Sequence, residues 1–279
     1  MNPELQTNSF NGSSAISDSV LQMLAQEKKQ ITTVKVLFLV GAIAILIFSY
    51  RQSELNPPVL IQRGGNMVEY VKSYFPPDFS YWKNYLEDTL ITISMGIWGT
   101  LLAAIAAIPL SILASENVCP VWIVQPVRRL LDAMRAINEI VFALVFVVAV
   151  GLGPFAGVMA LFIHTAGALG KLFSEAVEAI EPGQVEGIRA TGASKIQEVI
   201  FGVIPQVIPL WTSFVLYRFE SNVRAASVLG IVGAGGIGVS LYQSFQSFDY
   251  GKVCAILIIL ILATTIIDTI SAKLRNWLV

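Results

Sequence analysis

Residues 88–114 read DTLITISMGIWGTLLAAIAAIPLSILA, and Asp88 is the single charged residue among them. About 20 mostly apolar residues in a helix suffice to cross the hydrocarbon core of a bilayer. Lipid offers the backbone no hydrogen-bond partners, so a spanning segment must be a helix or part of a closed barrel. The apolar residues run continuously here and do not alternate with polar ones. The stretch therefore predicts a transmembrane helix.

The whole chain shares this character. Hydrophobic residues make up 55% of the 279 positions and charged residues 13%, against about 25% charged in soluble domains; the mean hydropathy is +0.69. Six spans are predicted, at about 34–50, 88–114, 136–150, 155–173, 203–230 and 250–270. The predicted fold class is an all-α polytopic membrane protein with about six transmembrane helices.

The composition does not indicate a nucleic-acid-binding protein, a disulfide-stabilised protein or a metal site. The net charge of −1 does not suggest a nucleic-acid partner, and Cys119 and Cys254 lie too far apart to suggest a disulfide framework. His164 is the one histidine, without the His/Cys cluster of a metal site. We expect no metal, no cofactor and no catalytic residues. The polar first thirty or so residues do not predict a cleavable signal peptide.

The distribution of basic residues predicts the orientation. With six spans, the segments on one side of the membrane carry eleven Lys and Arg residues, and those on the other side carry five. Cytoplasmic loops are the ones enriched in Lys and Arg. Both termini and the loop near residues 174–200 are therefore predicted to be cytoplasmic.

The segment from Glu186 to Pro205 carries the most specific motif. It reads Glu186-Gly187-Ile188-Arg189-Ala190-Thr191-Gly192-Ala193-Ser194-Lys195 and leads to Ile204-Pro205. This resembles the EAA loop of binding-protein-dependent ABC importer permeases in the spacing of glutamate, glycine and proline. Gly187 and Ile188 replace the two alanines of the family pattern, Gly202 its isoleucine and Ile204 its leucine.

A short helix, a glycine turn and a second short helix would make a compact knob. Its small residues would let the backbone sit deep in a groove of a partner, and Glu186 could cap or pair within the loop or across the interface. The residues expected to couple to an ATPase are Glu186, Gly187, Ala190, Gly192, Ala193, Ser194 and Pro205. An ordinary amphipathic cytoplasmic loop is the alternative.

The resemblance extends from about residue 88 to residue 275 and is strongest to phosphonate-transport permeases. It is carried by the segments at 151–157, 164–167, 169–173, 216–224 and 228–238. That group usually shows Ile-Pro-Glu where this chain has Ile137-Asn138-Glu139. The resemblance implies a bacterial inner-membrane permease that forms a homodimer, binds two ABC ATPase subunits and receives a phosphorus oxyanion from a periplasmic solute-binding protein.

The predicted organisation follows from these segments. Residues 1–33 form a cytoplasmic N-terminal segment, in which Ile16, Val20 and Leu24 indicate a membrane-surface amphipathic helix or an ordinary linker helix. Residues 34–86 hold the first transmembrane helix and a periplasmic loop with one short interfacial helix. Residues 87–275 form the permease domain, a five-helix core with the cytoplasmic coupling loop at 174–204.

Charged residues within the apolar stretches are candidates for the translocation pathway. Ionisable groups at this depth usually pair or face a cavity. Glu220 and Arg224 are one helical turn apart and can pair. Arg218 and Arg224 either fix helix packing or lower the barrier for an anion. The candidate pathway residues are Arg218, Glu220, Asn222, Arg224 and His164, of which His164 could instead be a packing group.

Two glycine motifs resemble nucleotide-binding sites. Gly233-Ala234-Gly235-Gly236-Ile237-Gly238 fits G-x-G-x-x-G, but apolar spans flank it where a dinucleotide site needs a preceding strand. A tight re-entrant turn built on Gly233, Gly235, Gly236 and Gly238 is the preferred interpretation. Gly170-Lys171 lacks the other residues of a P-loop, so ATP hydrolysis is expected from a separate subunit.

Two other functions stay open on the sequence. Permeases for amino acids such as methionine share the coupling loop and the glycine turn. The other is an ATP-independent channel or secondary transporter. In that case the match of residues 186–205 to the EAA pattern would be accidental, and only Asp268 and Glu139 would be candidate proton carriers.

Overall fold

The structure is a computed structural model that describes residues 35–278 of the chain. All regular structure in this range is helical, which confirms the predicted all-α class. The amphipathic helix predicted within residues 1–33 lies outside the described residues. The described residues divide into two compact units, residues 35–68 and residues 69–278.

The described part of the first unit contains the predicted N-terminal span. Helix α1, Lys35–Gln52, is long and apolar enough to cross a membrane. Two short helices follow, α2 at Pro58–Gln62 and α3 at Gly64–Lys72, the latter extending into the second unit. The loop predicted to hold one short interfacial helix contains two short helices, and Pro58 starts the first because proline suits the opening turn of a helix.

The second unit is a bundle of long and short helices. Its further helices are α4 at Trp82–Ala114, α5 at Val121–Ala136, α6 at Glu139–Val150, α7 at Pro154–Glu178, α8 at Pro182–Ala190, α9 at Lys195–Gln197, α10 at Ile204–Leu229, α11 at Ile237–Gln246 and α12 at Tyr250–Leu278. A π-helical segment, Glu198–Val203, joins α9 to α10. A 3₁₀ turn, Gly230–Val232, follows α10.

The third predicted span differs most from the structure. Helix α6 has 12 residues, so at 1.5 Å per residue it is about 18 Å long, too short for a hydrocarbon core of about 30 Å. It joins α5 at an angle of 86°, and the two form a sixth span only if they count as one bent element. Helices α4, α7 and α12 all extend beyond their predicted limits.

Asn138 occupies the bend where the resembling family usually has proline. Its side-chain oxygen accepts a hydrogen bond of 2.9 Å from the backbone N–H of Ile140 and so caps α6. Its φ of −64° is the value that proline would impose. The chain therefore bends here without proline because an asparagine cap satisfies one of the first free N–H groups of the helix.

Helix α7 is the centre of the second unit and packs against α4, α5, α6 and α10. Small residues permit this close packing, as they do in membrane bundles generally. A Cβ added to Gly99 would lie 2.7 Å from the Cβ of Leu161, and one added to Gly167 would lie 2.7 Å from the Cβ of Met134. Larger residues at either position would force the helices apart.

The end of the bundle next to α8 is closed by two aromatic rings. Phe173 of α7 and Trp211 of α10 are stacked with centroids 4.6 Å apart. The indole N–H of Trp211 also donates to the carbonyl oxygen of Phe173 at 3.3 Å. This contact fixes the two helices from which the loop at residues 179–203 projects.

Candidate functional site

The predicted coupling loop folds as a helix, a glycine turn and a second short helix. Helix α8 ends at Ala190, and Gly192 has a φ of +84°, a left-handed conformation that glycine adopts at little cost. Ser194 is the N-cap residue of α9, and its backbone N–H donates to the side-chain oxygen of Gln197 at 2.8 Å. The loop is thus built from local signals, a left-handed glycine and a capping box.

An ion pair between an exposed arginine and a buried carboxylate holds the two halves of the loop together. The guanidinium of Arg189 donates to both carboxylate oxygens of Glu198, each at 3.0 Å. The ammonium group of Lys195 lies 3.2 Å from the same carboxylate. The side chain of Glu198 is only 7% exposed, so its charge depends on these partners. The hydrogen bond to Glu198 raises the pKa of Arg189 above its ordinary value.

The residues predicted to couple are mostly exposed. Glu186, Gly187, Ala190, Gly192, Ser194 and Pro205 are exposed, and Ala193 is half-buried. A Cβ built on Gly187 or Gly192 would meet no atom of the described chain within 4 Å. Glu186 makes no hydrogen bond or ion pair with another described residue, although its charge helps to raise the pKa of Arg189. Two large apolar side chains of the same loop, Ile196 and Phe201, are 72% and 64% exposed.

The predicted pair of Arg224 and Glu220 is present and belongs to a larger network. The guanidinium of Arg224 lies 2.9 Å from a Glu220 oxygen and 3.1 Å from an Asp268 oxygen. Arg275 lies 3.7 Å from the other Glu220 oxygen. These contacts join α10 to α12, so the charge of Arg224 is balanced within the fold.

Asn222 lies inside the helix packing and is only 3% exposed. Its amide nitrogen donates to the Thr100 hydroxyl at 2.8 Å, and its amide oxygen accepts from the Thr165 hydroxyl at 2.9 Å. Helices α4, α7 and α10 thus meet at one polar clamp. The Asn222 side chain therefore makes its contacts within the helix bundle and is not exposed at its surface.

Arg218 and His164 line a common cavity, apart from the Arg224 network. The cavity has a volume of about 240 Å³ and lies between α5, α7 and α10. His164 lies 3.0 Å through Nδ1 from the carbonyl oxygen of Ile137, and 3.7 Å through Nε2 from a Glu139 oxygen. Because a carbonyl oxygen can only accept, Nδ1 carries the proton of this hydrogen bond.

The glycine turn is sharply folded and tied to two other helices. Gly233, Gly235 and Gly236 have φ values of +87°, +82° and +74°. A Cβ on Gly238 would lie 2.0 Å from the Ser227 carbonyl oxygen, so no larger residue fits there. The backbone N–H of Gly153 donates to the Gly233 carbonyl oxygen, and that of Ile237 donates to the Thr92 hydroxyl.

Comparisons with known proteins identify the family. Residues 99–278 match the family described as "Binding-protein-dependent transport system inner membrane component". This chain belongs to that family. The permease is 42% identical over 207 residues to a putative phosphite transport system permease protein of Stutzerimonas stutzeri, a match that covers 74% of this chain and 73% of that protein.

Two further matches agree with this result. A putative cryptic phosphonate transport system permease protein of Escherichia coli strain K12 is 58% identical over 118 residues, which cover 42% of the permease and 97% of that protein. The inward-facing methionine ABC transporter MetNI has the same fold, with a TM-score of 0.61 at 19% identity over 70% of the permease and 95% of that chain. The predicted family and fold are confirmed.

Some polar contacts of the permease were not predicted from its sequence. The Arg189–Glu198 pair joins residues nine positions apart in different elements. Arg128 of α5 donates to the Ala114 carbonyl oxygen and to the carboxylates of Glu116 and Glu178, tying the ends of α4 and α7 together. The sequence did offer a signal for the Arg189–Glu198 pair. Glu198 directly precedes the apolar run Val199-Ile200-Phe201, and a carboxylate buried there needs a cation.

Proposed function

We propose that the permease forms the translocation pathway of an ABC importer for phosphonate or a related phosphorus oxyanion such as phosphite, hypophosphite or a phosphate ester. The observation that carries the importer role is the exposed helix–turn–helix loop at residues 182–197, braced by the buried Glu198. The phosphite and phosphonate permeases among its relatives support the substrate class.

The proposed assembly contains a second copy of the permease, two ABC ATPase subunits and a periplasmic solute-binding protein. It lies in the bacterial inner membrane with both termini in the cytoplasm. The eleven-to-five distribution of basic residues supports this orientation. ATP hydrolysis belongs to the ATPase subunits.

In this proposal the loop transmits the movement of the ATPase. The exposed side chains of Ile196 and Phe201 offer apolar surface to a partner groove. The open space around Gly187 and Gly192 lets the partner approach the backbone closely. The Arg189–Glu198 pair makes the loop rigid, so a force on α8 reaches α10 through the π-helical segment.

Uptake by a reconstituted complex tests this function. The permease, its ATPase and its binding protein would be placed in liposomes, and uptake of phosphite, methylphosphonate and methionine measured with and without ATP. We expect ATP-dependent uptake of the phosphorus oxyanions and none of methionine. Import of methionine instead would contradict the substrate class, and uptake that persists without the ATPase would contradict the importer role.

The subunit stoichiometry needs a separate experiment. Two differently tagged copies of the permease would be co-expressed with the ATPase and purified through one tag. Recovery of the second tag supports the homodimer. A complex that instead contains one copy of this chain and one related permease chain contradicts it.

A further inference from the structure

The cavity beside Arg218 has an unusual concentration of cations for a membrane bundle. It lies next to the 86° bend between α5 and α6. Its lining consists of Arg135, His164, Ala168, Lys171, Leu172, Glu175 and Arg218. Three cationic side chains thus face one carboxylate around about 240 Å³ of space. All of these residues belong to the second unit of the chain.

The three cationic side chains differ in whether a carboxylate neutralises their charge. Arg135 holds Asp132 at 2.9 Å, and Lys171 lies 3.5 Å from Glu175. Arg218, in contrast, makes no ion pair with any of residues 35–278, and its buried Nε atom has no hydrogen-bond partner among them. An unpaired arginine in an apolar helix is costly, and such residues usually mark a functional path. The fold leaves this guanidinium available to a ligand.

We propose that Arg218, together with Lys171 and Arg135, forms a binding site for a small phosphorus oxyanion within the permease. The identity of the anion rests on the proposed function. A guanidinium matches the spacing of phosphoryl oxygens with two parallel donors, and an ammonium adds a point charge. The cavity is smaller than the pockets of roughly 300–1,000 Å³ that hold drug-sized ligands, which suits an anion of a few heavy atoms.

The neighbouring carboxylates make the site a transient one. Asp132 and Glu175 already hold Arg135 and Lys171, and an entering anion must compete with them for these donors. His164 stays in place through its hydrogen bond to Ile137. A site of this kind attracts the anion without retaining it, which is what a transport path needs. Arg224 takes no part, because Glu220 and Asp268 balance it.

Direct anion binding to the full complex tests the site without depending on transport. The permease–ATPase complex in lipid nanodiscs would be titrated with phosphite and with methylphosphonate. We expect Arg218→Gln to weaken binding by about tenfold or more, the value of one charge-assisted hydrogen bond. Arg218→Lys should recover part of the binding. Arg129→Gln is the matched control, since Arg129 is an exposed arginine of α5 outside the cavity.

The outcomes separate this site from the proposed function. Binding by the wild-type complex that Arg218→Gln weakens by about tenfold or more supports the site, whatever cargo the liposome assay finds. Equal binding by wild type and Arg218→Gln overturns it, as does a wild-type complex that binds neither anion. If Arg218→Gln fails to assemble with the ATPase, Lys171→Gln decides, because unchanged binding in that variant would also overturn the site.

Discussion

Arg189 of α8 and Glu198 at the start of the π-helical segment form a two-armed ion pair, with both N–O distances at 3.0 Å. The arginine side chain is 54% exposed and the carboxylate 7% exposed. The pair therefore links the surface of the coupling loop to the base of α10. Loss of the arginine leaves a buried carboxylate with only the long side chain of Lys195.

Arg189→Ala is expected to destabilise the loop, because the Glu198 carboxylate loses its two-armed partner. Limited proteolysis between α8 and α10, together with co-purification of the ATPase, would measure the effect. Lys195→Ala is the control, because that ammonium makes one longer contact from a 77% exposed side chain. If both variants behave alike, the two-armed pair has no special role in the loop.

The two glycines of the coupling loop should respond in opposite directions. Gly192→Ala forces a side chain into a left-handed conformation and should cost about 1–2 kcal/mol. Gly187→Ala lies within α8 with open space around it, so it should stabilise the isolated permease by about 0.5–1 kcal/mol. Thermal unfolding of the permease alone measures both changes.

The Gly187→Ala variant also tests docking when the ATPase is present. A methyl group on Gly187 would obstruct a close-fitting groove, so Gly187→Ala should reduce ATPase co-purification although the permease itself is more stable. Unchanged co-purification would show that the partner does not approach the backbone at this position.

Arg224 and Arg218 should differ in their effect on stability. Arg224→Gln leaves Glu220 and Asp268 facing each other without their shared cation, which should cost about 1–3 kcal/mol. Adding Asp268→Asn should restore part of this loss, since the two sites share a network. Arg218→Gln breaks no ion pair among the described residues and should not lower the melting temperature. A large loss of stability in Arg218→Gln would indicate a packing role instead.

Asn138 allows a test of the bend between α5 and α6. Asn138→Ala removes the cap of α6 and should cost about 1 kcal/mol. Asn138→Pro loses the same cap but fits the observed φ, and Ile137 already has the extended backbone that a following proline requires. It should therefore be less destabilising than alanine in thermal unfolding. The reverse order would mean that the backbone at the bend differs from the one described.

Much of the site followed from local sequence signals. The glycine turn between two short helices and the pairing of Glu220 with Arg224 each involve residues within a few positions of one another. Such contacts depend on backbone geometry that is set over one or two helical turns. The π-helical segment and the bend between α5 and α6 could not be predicted in this way, because they arise where neighbouring helices constrain the chain.

The sequence by itself determined that this protein is a helical membrane permease, and it predicted a coupling loop. Long apolar runs leave the backbone no other way to satisfy its polar groups in lipid, and the spacing from Glu186 to Pro205 marks the loop. The tertiary structure decided which charges are balanced. Arg224 forms an ion pair with Asp268, 44 positions away in the sequence, whereas Arg218 lines a cavity. The length of an apolar segment can be read directly from the sequence. An ion pair between distant residues depends on which helix faces pack against one another.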